Sequence, residues 1–323
     1  MGVEEFLKEW HNDSPTVLVH TSGSTGEPKP MRVEKRRMEA SARMTCDFLG
    51  LREGDTALLC MSLDYIAGKM MVVRSLVRAL RLITVEPSGE PLATVTEPLD
   101  FAAMVPMQVW NTLQVAEQRE RLMAFKNLII GGGAIDDGLA AELQAFPNAV
   151  WSTYGMTETL SHIALRRLSG PDASEWYTPM DGVGLSQTEE GCLVIDAPVL
   201  HAGPLVTNDI AELAPDGRFK ILGRKDNVIC SGGLKIQAEE VERRLRQHIH
   251  APFVITKRRD EKFGEVVILL TEGDTEEARE ACRRVLPRYW RPRGYARLPK
   301  IPMTETGKPA RKLLETLVQK PSR

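Results

Sequence analysis

The sequence is short of the features that would place it in a membrane, a disulfide scaffold or a metal-bound framework. No stretch approaches the roughly eighteen consecutive apolar residues of a membrane-spanning helix. The opening MGVEEFLKEW is acidic and lacks a signal-peptide pattern, and Phe6 stands where a myristoylation motif needs Ser or Thr. The five cysteines (Cys46, Cys60, Cys192, Cys230, Cys282) include no C-x-x-C and no metal spacing. They read as reduced thiols and point to a cytoplasmic protein. Aromatic residues make up only 6% of the chain and do not interleave with the basic ones, which speaks against a nucleic-acid stacking platform. Internal repeats, long low-complexity segments and the G-x-x-x-x-G-K-[ST] phosphate loop are all missing.

What remains is an ordinary globular composition, 42% apolar and 27% charged over 323 residues, with room for two domains. The net charge of −2 hides an asymmetry. From Arg224 onward there are 23 Lys and Arg against 14 Asp and Glu, a net of +9; the preceding residues carry 19 against 30, a net of −11. Such a split suits two domains that share an anionic ligand, and suits a generic solvated surface equally well.

The hydrophobic pattern predicts a doubly wound, mostly parallel α/β core followed by a β-rich part and an α+β module. TVLVH (Thr16 to His20) is short, apolar and β-branched, so it reads as a buried strand. SARMTCDFLGL has helical spacing, GDTALLCMSL reads as a turn and a strand, and IAGKMMVVRSLVRALRLITV as a helix running into a strand. DFAAMVPMQVWNTL, KNLIIGGGAIDDGLAAELQAF and AVWSTYGMTET continue the alternation of strand and helix, the pattern of βαβ units. After Pro179 short strands are split by Gly, Pro and Asp turns, and after Arg224 helices and strands form a compact module. The expected domains are 1–224, divided into a 1–178 core and a 179–224 β-rich part, and 225–323. Met61, Met70, Met71, Met104 and Met107 lie on apolar stretches and are expected to fill core.

Five islands carry chemistry. HTSGSTGEPKPMR follows the TVLVH strand; Gly23 and Gly26 let main-chain N–H groups approach a ligand, Thr21, Ser22, Ser24 and Thr25 add hydroxyls, and Lys29 adds a charge. That combination suits a phosphate, although a surface linker has a similar composition. Gly131, Gly132 and Gly133 after LII form a turn on which a flat ring can lie. STYGMTET offers an aromatic face at Tyr154, a hydroxyl at Thr157 and a carboxylate at Glu158 that beside phosphates can hold Mg²⁺. TNDIAEL places Asp209 where a ribose diol could donate to it. GRKDNVICSGGLKIQAEEVE and PMTETGKPARKLL add Arg224, the Gly232-Gly233 turn and Lys308.

In this order the islands resemble the core motifs of the acyl-adenylate-forming (acyl-CoA synthetase) superfamily, whose phosphate loop is T-S-G-S-T-G-x-P-K-G. The resemblance spans Thr21 to Leu314. Within the superfamily, ICSGGLKI, VPMQ and YGMTET look most like the o-succinylbenzoate–CoA ligases of menaquinone synthesis. The resemblance implies ATP, Mg²⁺ and coenzyme A: a small-molecule carboxylic acid attacks the α-phosphorus, pyrophosphate leaves, and the CoA thiol then displaces AMP. It also implies that Thr21 to Gly26 and Lys29 cradle the β- and γ-phosphates, that Glu158, beside Thr157, holds Mg²⁺, and that Gly132, Gly133, Ala134, Tyr154 and Gly155 frame adenine. Asp209 and Arg224 would take the ribose hydroxyls, Lys308 the α-phosphate and the attacking carboxylate, and Gly232-Gly233 the pantetheine arm. The C-terminal domain would rotate about a hinge near Lys225-Asp226.

The sequence departs from this pattern in three places. Family members carry well over a hundred residues before the phosphate loop and this sequence carries twenty, so a first α/β subdomain is expected to be absent and a homo-oligomer could cover the exposed face. Pro30 stands where Gly is usual, and TND replaces TGD. His162, Arg166 or Arg167 could answer a second carboxylate on the acid, although His162 and His201 also read as structural groups. Two other readings stay open: an adenylating enzyme for a different aryl or fatty acid or a different acceptor, and a non-catalytic nucleotide-binding module acting with a partner.

Overall fold

The computed structural model describes residues 1–20, 30–133, 135, 137–304 and 309–319. Its strands are β1 (Thr16–His20), β2 (Pro30–Glu34), β3 (Thr56–Leu59), β4 (Arg81–Thr84), β5 (Phe101–Met104), β6 (Asn127–Ile130), β7 (Ala149–Gly155), β8 (His162–Arg167), β9 (Thr178–Pro179), β10 (Gly184–Gln187), β11 (Cys192–Asp196), β12 (Leu205–Leu213), β13 (Phe219–Arg224), β14 (Val228–Ser231), β15 (Leu234–Gln237), β16 (Phe253–Asp260), β17 (Gly264–Thr271) and β18 (Gly294–Arg297). The helices are α1 (Val3–His11), α2 (Lys35–Leu49), α3 (Ile66–Arg78), α4 (Pro106–Leu113), α5 (Ala116–Met123), α6 (Asp137–Gln144), α7 (Ala238–Leu245), α8 (Thr275–Val285) and α9 (Arg311–Gln319).

The largest sheet has the order β4-β3-β5-β6-β7-β8-β9. The first five strands are parallel; β8 runs antiparallel to β7, and β9 antiparallel to β8. Its central strands β3, β5 and β6 read as short apolar runs because both faces are covered. Ala57 and Leu59, Phe101 and Ala103, and Ile129 point into a core shared with α1, α2 and α3. Their neighbours Leu58 and Cys60, Ala102 and Met104, and Leu128 and Ile130 point into a second core that also holds residues of α4, α5 and α6. The period of two along each strand therefore builds a doubly wound layer. Helix α2 buries Met38, Ser41, Ala42, Thr45, Cys46 and Leu49, a stripe at helical spacing, and Gly50 ends it at φ +65, a left-handed position that suits glycine. Met70, Met71 and Met104 fill core as expected, whereas Met107 is exposed on α4.

Strands β1 and β2 form their own antiparallel pair, with Leu18 opposite Arg32. A further sheet runs β10-β11-β12-β13. The last sheet has the order β15-β14-β17-β16, with β18 parallel to β17. Here too the period of two decides the faces: Val267 and Leu269 meet α7 and α8, while Val266, Ile268 and Leu270 meet Leu314 of α9. The chain divides into two compact units, one of Met1–Ser186, Ile195–Leu205 and Leu213–Lys220, the other of Gln187–Val194, Val206–Glu212 and Ile221–Arg323. All five cysteines are free, and only Cys230 is exposed. Among the described residues no helix is long and apolar enough to cross a membrane.

Candidate active site

In the first unit the candidate residues gather where β6 and β7 end side by side. Ile130 pairs with Ser152, so the glycine turn and Tyr154 leave neighbouring parallel strands at the same end. Gly131 N–H donates to the Met104 carbonyl of β5 at 3.1 Å. A Cβ on Gly131 would lie 2.4 Å from Thr153 Oγ1, so only glycine allows the turn to pass this close to β7. Gly132 follows at φ +77. Gln108 closes the strand ends beneath this turn. Its Nε2 donates to the carbonyls of Cys60 and Ser88 at 3.2 and 2.8 Å, and its Oε1 accepts from Val105 N–H at 3.1 Å.

The Tyr154 ring stands on an aromatic support. It lies 5.8 Å from Tyr177 and 5.2 Å edge-on to Phe219, and those two rings stack at 5.4 Å. Tyr177 and Phe219 are tied by reciprocal backbone hydrogen bonds of 2.7 and 3.0 Å. The Tyr177 hydroxyl lies 3.0 Å from Ser152 Oγ, and the Arg166 guanidinium sits 5.4 Å over the Tyr177 ring. Gly155 has a packing reason of its own: a Cβ there would lie 2.3 Å from the Ser161 carbonyl, where β7 and β8 shift register.

Thr157 and Glu158 occupy a single 3-10 turn, Thr157–Thr159, with Glu158 exposed. The turn is held below by Thr159, whose Oγ1 accepts from Met156 N–H at 3.0 Å and donates to the Ser161 carbonyl at 2.7 Å. Leu160 then takes φ +66 while its side chain is buried. With Ser161 N–H donating to the Thr159 carbonyl at 2.7 Å this is a γ-turn, a sparsely populated conformation that costs about 1–3 kcal/mol, offset here by core packing. Among the described residues no three Asp, Glu, His or Cys gather as a metal cage. A lone exposed carboxylate fits Mg²⁺, which takes one or two protein carboxylates and fills its shell with phosphate oxygens and water.

Beneath the turn lies Arg74 of α3, fully buried. Its Nη2 donates to Ser161 Oγ at 2.6 Å and its Nη1 to Met71 Sδ at 3.6 Å, while Nε has no partner. No ion pair of Arg74 occurs among the described residues, and burial pulls its pKa down to about 10. His162 is its neighbour, with Nε2 3.1 Å from Thr45 Oγ1 and Nδ1 3.2 Å from Ser161 Oγ. Burial, and then the charge of Arg74, push the His162 pKa well below its usual value, so the ring is neutral. Arg167 is engaged locally by Ser169 and stacks over Trp151 at 5.0 Å.

In the second unit Asp209 and Arg224 meet directly. Arg224 Nη1 donates to Asp209 Oδ1 at 3.1 Å and Nη2 to Asp226 Oδ2 at 3.3 Å. Asp209 is further ordered by its N–H on Thr207 Oγ1 at 3.0 Å. Gly232 and Gly233 form the two-residue tip of the β14–β15 hairpin at φ +57 and +84. Two positive φ values in succession match the right-handed twist of the strands and call for glycine. Thr21 to Gly26, Lys29, Ala134 and Lys308 lie outside the described residues.

Residues 4–201 match the family of AMP-binding enzymes. The chain belongs to that family. This AMP-binding enzyme is 25% identical to a 2-succinylbenzoate–CoA ligase of Bacillus anthracis over 94% of its own length and 70% of the relative's. An acyl-CoA synthetase (AMP-forming)/AMP-acid ligase II-like protein from Dyadobacter fermentans is 34% identical, with a TM-score of 0.68 over 96% of this chain and 91% of that one. The o-succinylbenzoate CoA synthetase of Bacillus subtilis, solved with its acyl-adenylate intermediate, shares the fold at a TM-score of 0.77 and 22% identity, over 95% of this chain and 69% of that one. Sequence reasoning did not single out Arg74, Lys69, Tyr177 or Phe219 in this AMP-binding enzyme. The signal available for the first two was their place inside the otherwise apolar run IAGKMMVVRSLV.

Proposed function

We propose that this AMP-binding enzyme is an ATP-dependent acid–CoA ligase acting on a dicarboxylic acid of the 2-succinylbenzoate kind. One carboxylate attacks the α-phosphorus of ATP, forming the acyl-AMP and releasing pyrophosphate. The CoA thiol then attacks the acyl carbon, forming the thioester and releasing AMP. A carboxylate is already ionised near neutral pH, so the protein's task is to align it and to neutralise charge.

The observation that carries the choice of acid is Arg74. A buried guanidinium without a carboxylate partner is costly, and a second carboxylate on the substrate would complete it. His162, neutral beside Arg74, adds no positive charge of its own.

The remaining roles follow the family resemblance. Thr21 to Gly26 and Lys29 hold the β- and γ-phosphates, and Glu158 beside Thr157 holds Mg²⁺, which supplies charge neutralisation at the phosphates. Gly132, Gly133, Ala134, Tyr154 and Gly155 frame adenine, Asp209 and Arg224 take the ribose hydroxyls, and Lys308 orients the α-phosphate against the carboxylate. Gly232-Gly233 lines the pantetheine arm after residues 225–323 turn about Lys225-Asp226. Met107 and Trp110, both exposed and three residues apart on α4, support a homo-oligomer, which light scattering would measure as a mass above 36.0 kDa. A panel of mono- and dicarboxylic acids, assayed for acid-dependent pyrophosphate release with and without CoA, tests the whole reading. Release with 2-succinylbenzoate and thioester formation with CoA are expected. Release only with an unrelated acid would replace the substrate, and no release with any acid would favour a nucleotide-binding module.

A further inference from the structure

We propose that Glu9 and Lys69 are positioning residues for nucleotide binding, acting through Leu18 of β1. The proposal rests on the ligase reading above and adds to it a role for the first helix and for a cation in α3.

Strand β1 has a partner on one side only, β2. At Leu18 the outward N–H and C=O meet side chains instead of another strand. The N–H donates to Glu9 Oε1 of α1 at 3.1 Å, and the carbonyl accepts from Lys69 Nζ of α3 at 2.5 Å. The Lys69 side chain is 3% exposed, its Nζ lies 3.8 Å from Glu9 Oε2, and the Phe6 ring stands 5.5 Å from the ammonium. Two residues further on, His20 bridges in parallel to Tyr65, and Lys69 N–H donates to the Tyr65 carbonyl at 3.3 Å. The first turn of α3 thus grips β1 at Leu18 and at His20, and α1 closes the grip from the other side.

The residue after His20 is Thr21, the first of the Thr21–Lys29 segment assigned to the phosphates. A buried ammonium is stable only where its partners stand, so the bonds of Lys69 and Glu9 to the Leu18 carbonyl and N–H tolerate little sliding of β1 along its axis. The helix that carries Glu9 is anchored by Phe6 and Trp10 in the same core as Met70 and Met71. Whatever fixes Leu18 therefore fixes the end of β1 at His20, from which the chain continues into that segment. If the pair served stability alone, its loss would lower the melting temperature and leave ligand affinities alone.

The experiment measures MgATP affinity by titration calorimetry and the acid KM by pyrophosphate release for wild type, Glu9→Ala, Glu9→Gln and Leu122→Ala. Losing one charged hydrogen bond to Leu18 corresponds to about a tenfold weaker MgATP affinity in Glu9→Ala. Glu9→Gln, which keeps an acceptor for the Leu18 N–H, is expected to recover to within about threefold of wild type. The acid KM is expected to stay within about twofold throughout. Leu122→Ala loosens the opposite apolar core and measures what destabilisation alone does. Equal changes in ATP affinity and acid KM, or a Glu9→Ala variant no different from Leu122→Ala, would overturn the inference while leaving the ligase reading intact. A wild-type protein that binds no MgATP would overturn both.

Discussion

Leu18 in the first unit and Ile255 in the second face the same problem and are treated differently. Each sits on a strand at the end of its sheet, with N–H and C=O turned away from the partner strand. Around Ile255, Glu242 Oε1 accepts the N–H at 2.8 Å, and Arg311 reaches the carbonyl with Nη1 and Glu242 Oε2 with Nη2, both at 2.8 Å. Around Leu18 the lysine gives its one ammonium to the carbonyl and stays 3.8 Å from its carboxylate, whose Oε2 is left without a hydrogen-bond partner. A guanidinium holds its donors in a fixed planar fork that here spans two acceptors, whereas the Lys69 ammonium, with three rotatable donors, has the Leu18 carbonyl within hydrogen-bond distance and the Glu9 carboxylate beyond it. The second unit therefore has a closed clamp and the first an open one, each next to a segment assigned to phosphate chemistry: Thr21–Lys29 after β1, and Lys308 before α9.

The largest effect is expected from opening the closed clamp. Arg311→Met strands the buried Glu242 carboxylate and should cost the second unit about 3–5 kcal/mol, read as faster amide exchange at Ile255 and a lower urea midpoint. Lys69→Met is expected to cost less, about 1–3 kcal/mol, because the Glu9 carboxylate keeps Leu18 N–H and was loosely paired to begin with. A cost equal to that of Arg311→Met would erase the distinction drawn here. Acid should separate the units as well. His162 is held below its ordinary pKa in the folded state, so its contribution is present above about pH 6.5 and is lost as pH falls towards the folded value, at no more than about 1.4 kcal/mol per pH unit. In the second unit His248 is half-buried and His250 exposed. Hydrogen exchange at pH 7 and pH 5 should show the first unit loosening first, and His162→Gln should abolish the difference. The smallest effect is expected at Gln319, which bonds Arg259 N–H at 3.1 Å and the Lys257 carbonyl at 3.4 Å on the same edge as Ile255. Because these bonds are solvent-exposed, Gln319→Ala should cost about 1 kcal/mol or less, measured by the same denaturation.

Much of this architecture was readable along the chain. Runs such as TALL, FAAM and NLII announce strands covered on both faces, and the glycine turn after LII and the TYGMTE segment fall on adjacent strands. The antiparallel pairings of β8 with β7 and of β9 with β8 were not readable, because a short apolar strand looks the same in either direction. The roles of Lys69 and Arg74 are hidden in the sequence for a related reason: a cation in a helix usually snorkels to water, and the surrounding α1, β1 and β8 keep these two from doing so. Tyr177 and Phe219 support Tyr154 through a backbone bridge between segments far apart in sequence, which no local pattern encodes. The Gly232-Gly233 tip was legible as a turn, and its twin positive φ values give it a structural reason beside any role towards pantetheine.

The central claim is that Arg74 selects an acid with two carboxylates for adenylation. Acid-dependent ATP–pyrophosphate exchange should be measured with 2-succinylbenzoate and with the same keto acid lacking the ring carboxylate, for wild type and for Arg74→Met. The account predicts that wild type prefers the dicarboxylate by about 10²-fold or more in kcat/KM and that the variant, folded and still binding MgATP, loses most of that preference. Equal preference in the two proteins, or none in wild type, would contradict it.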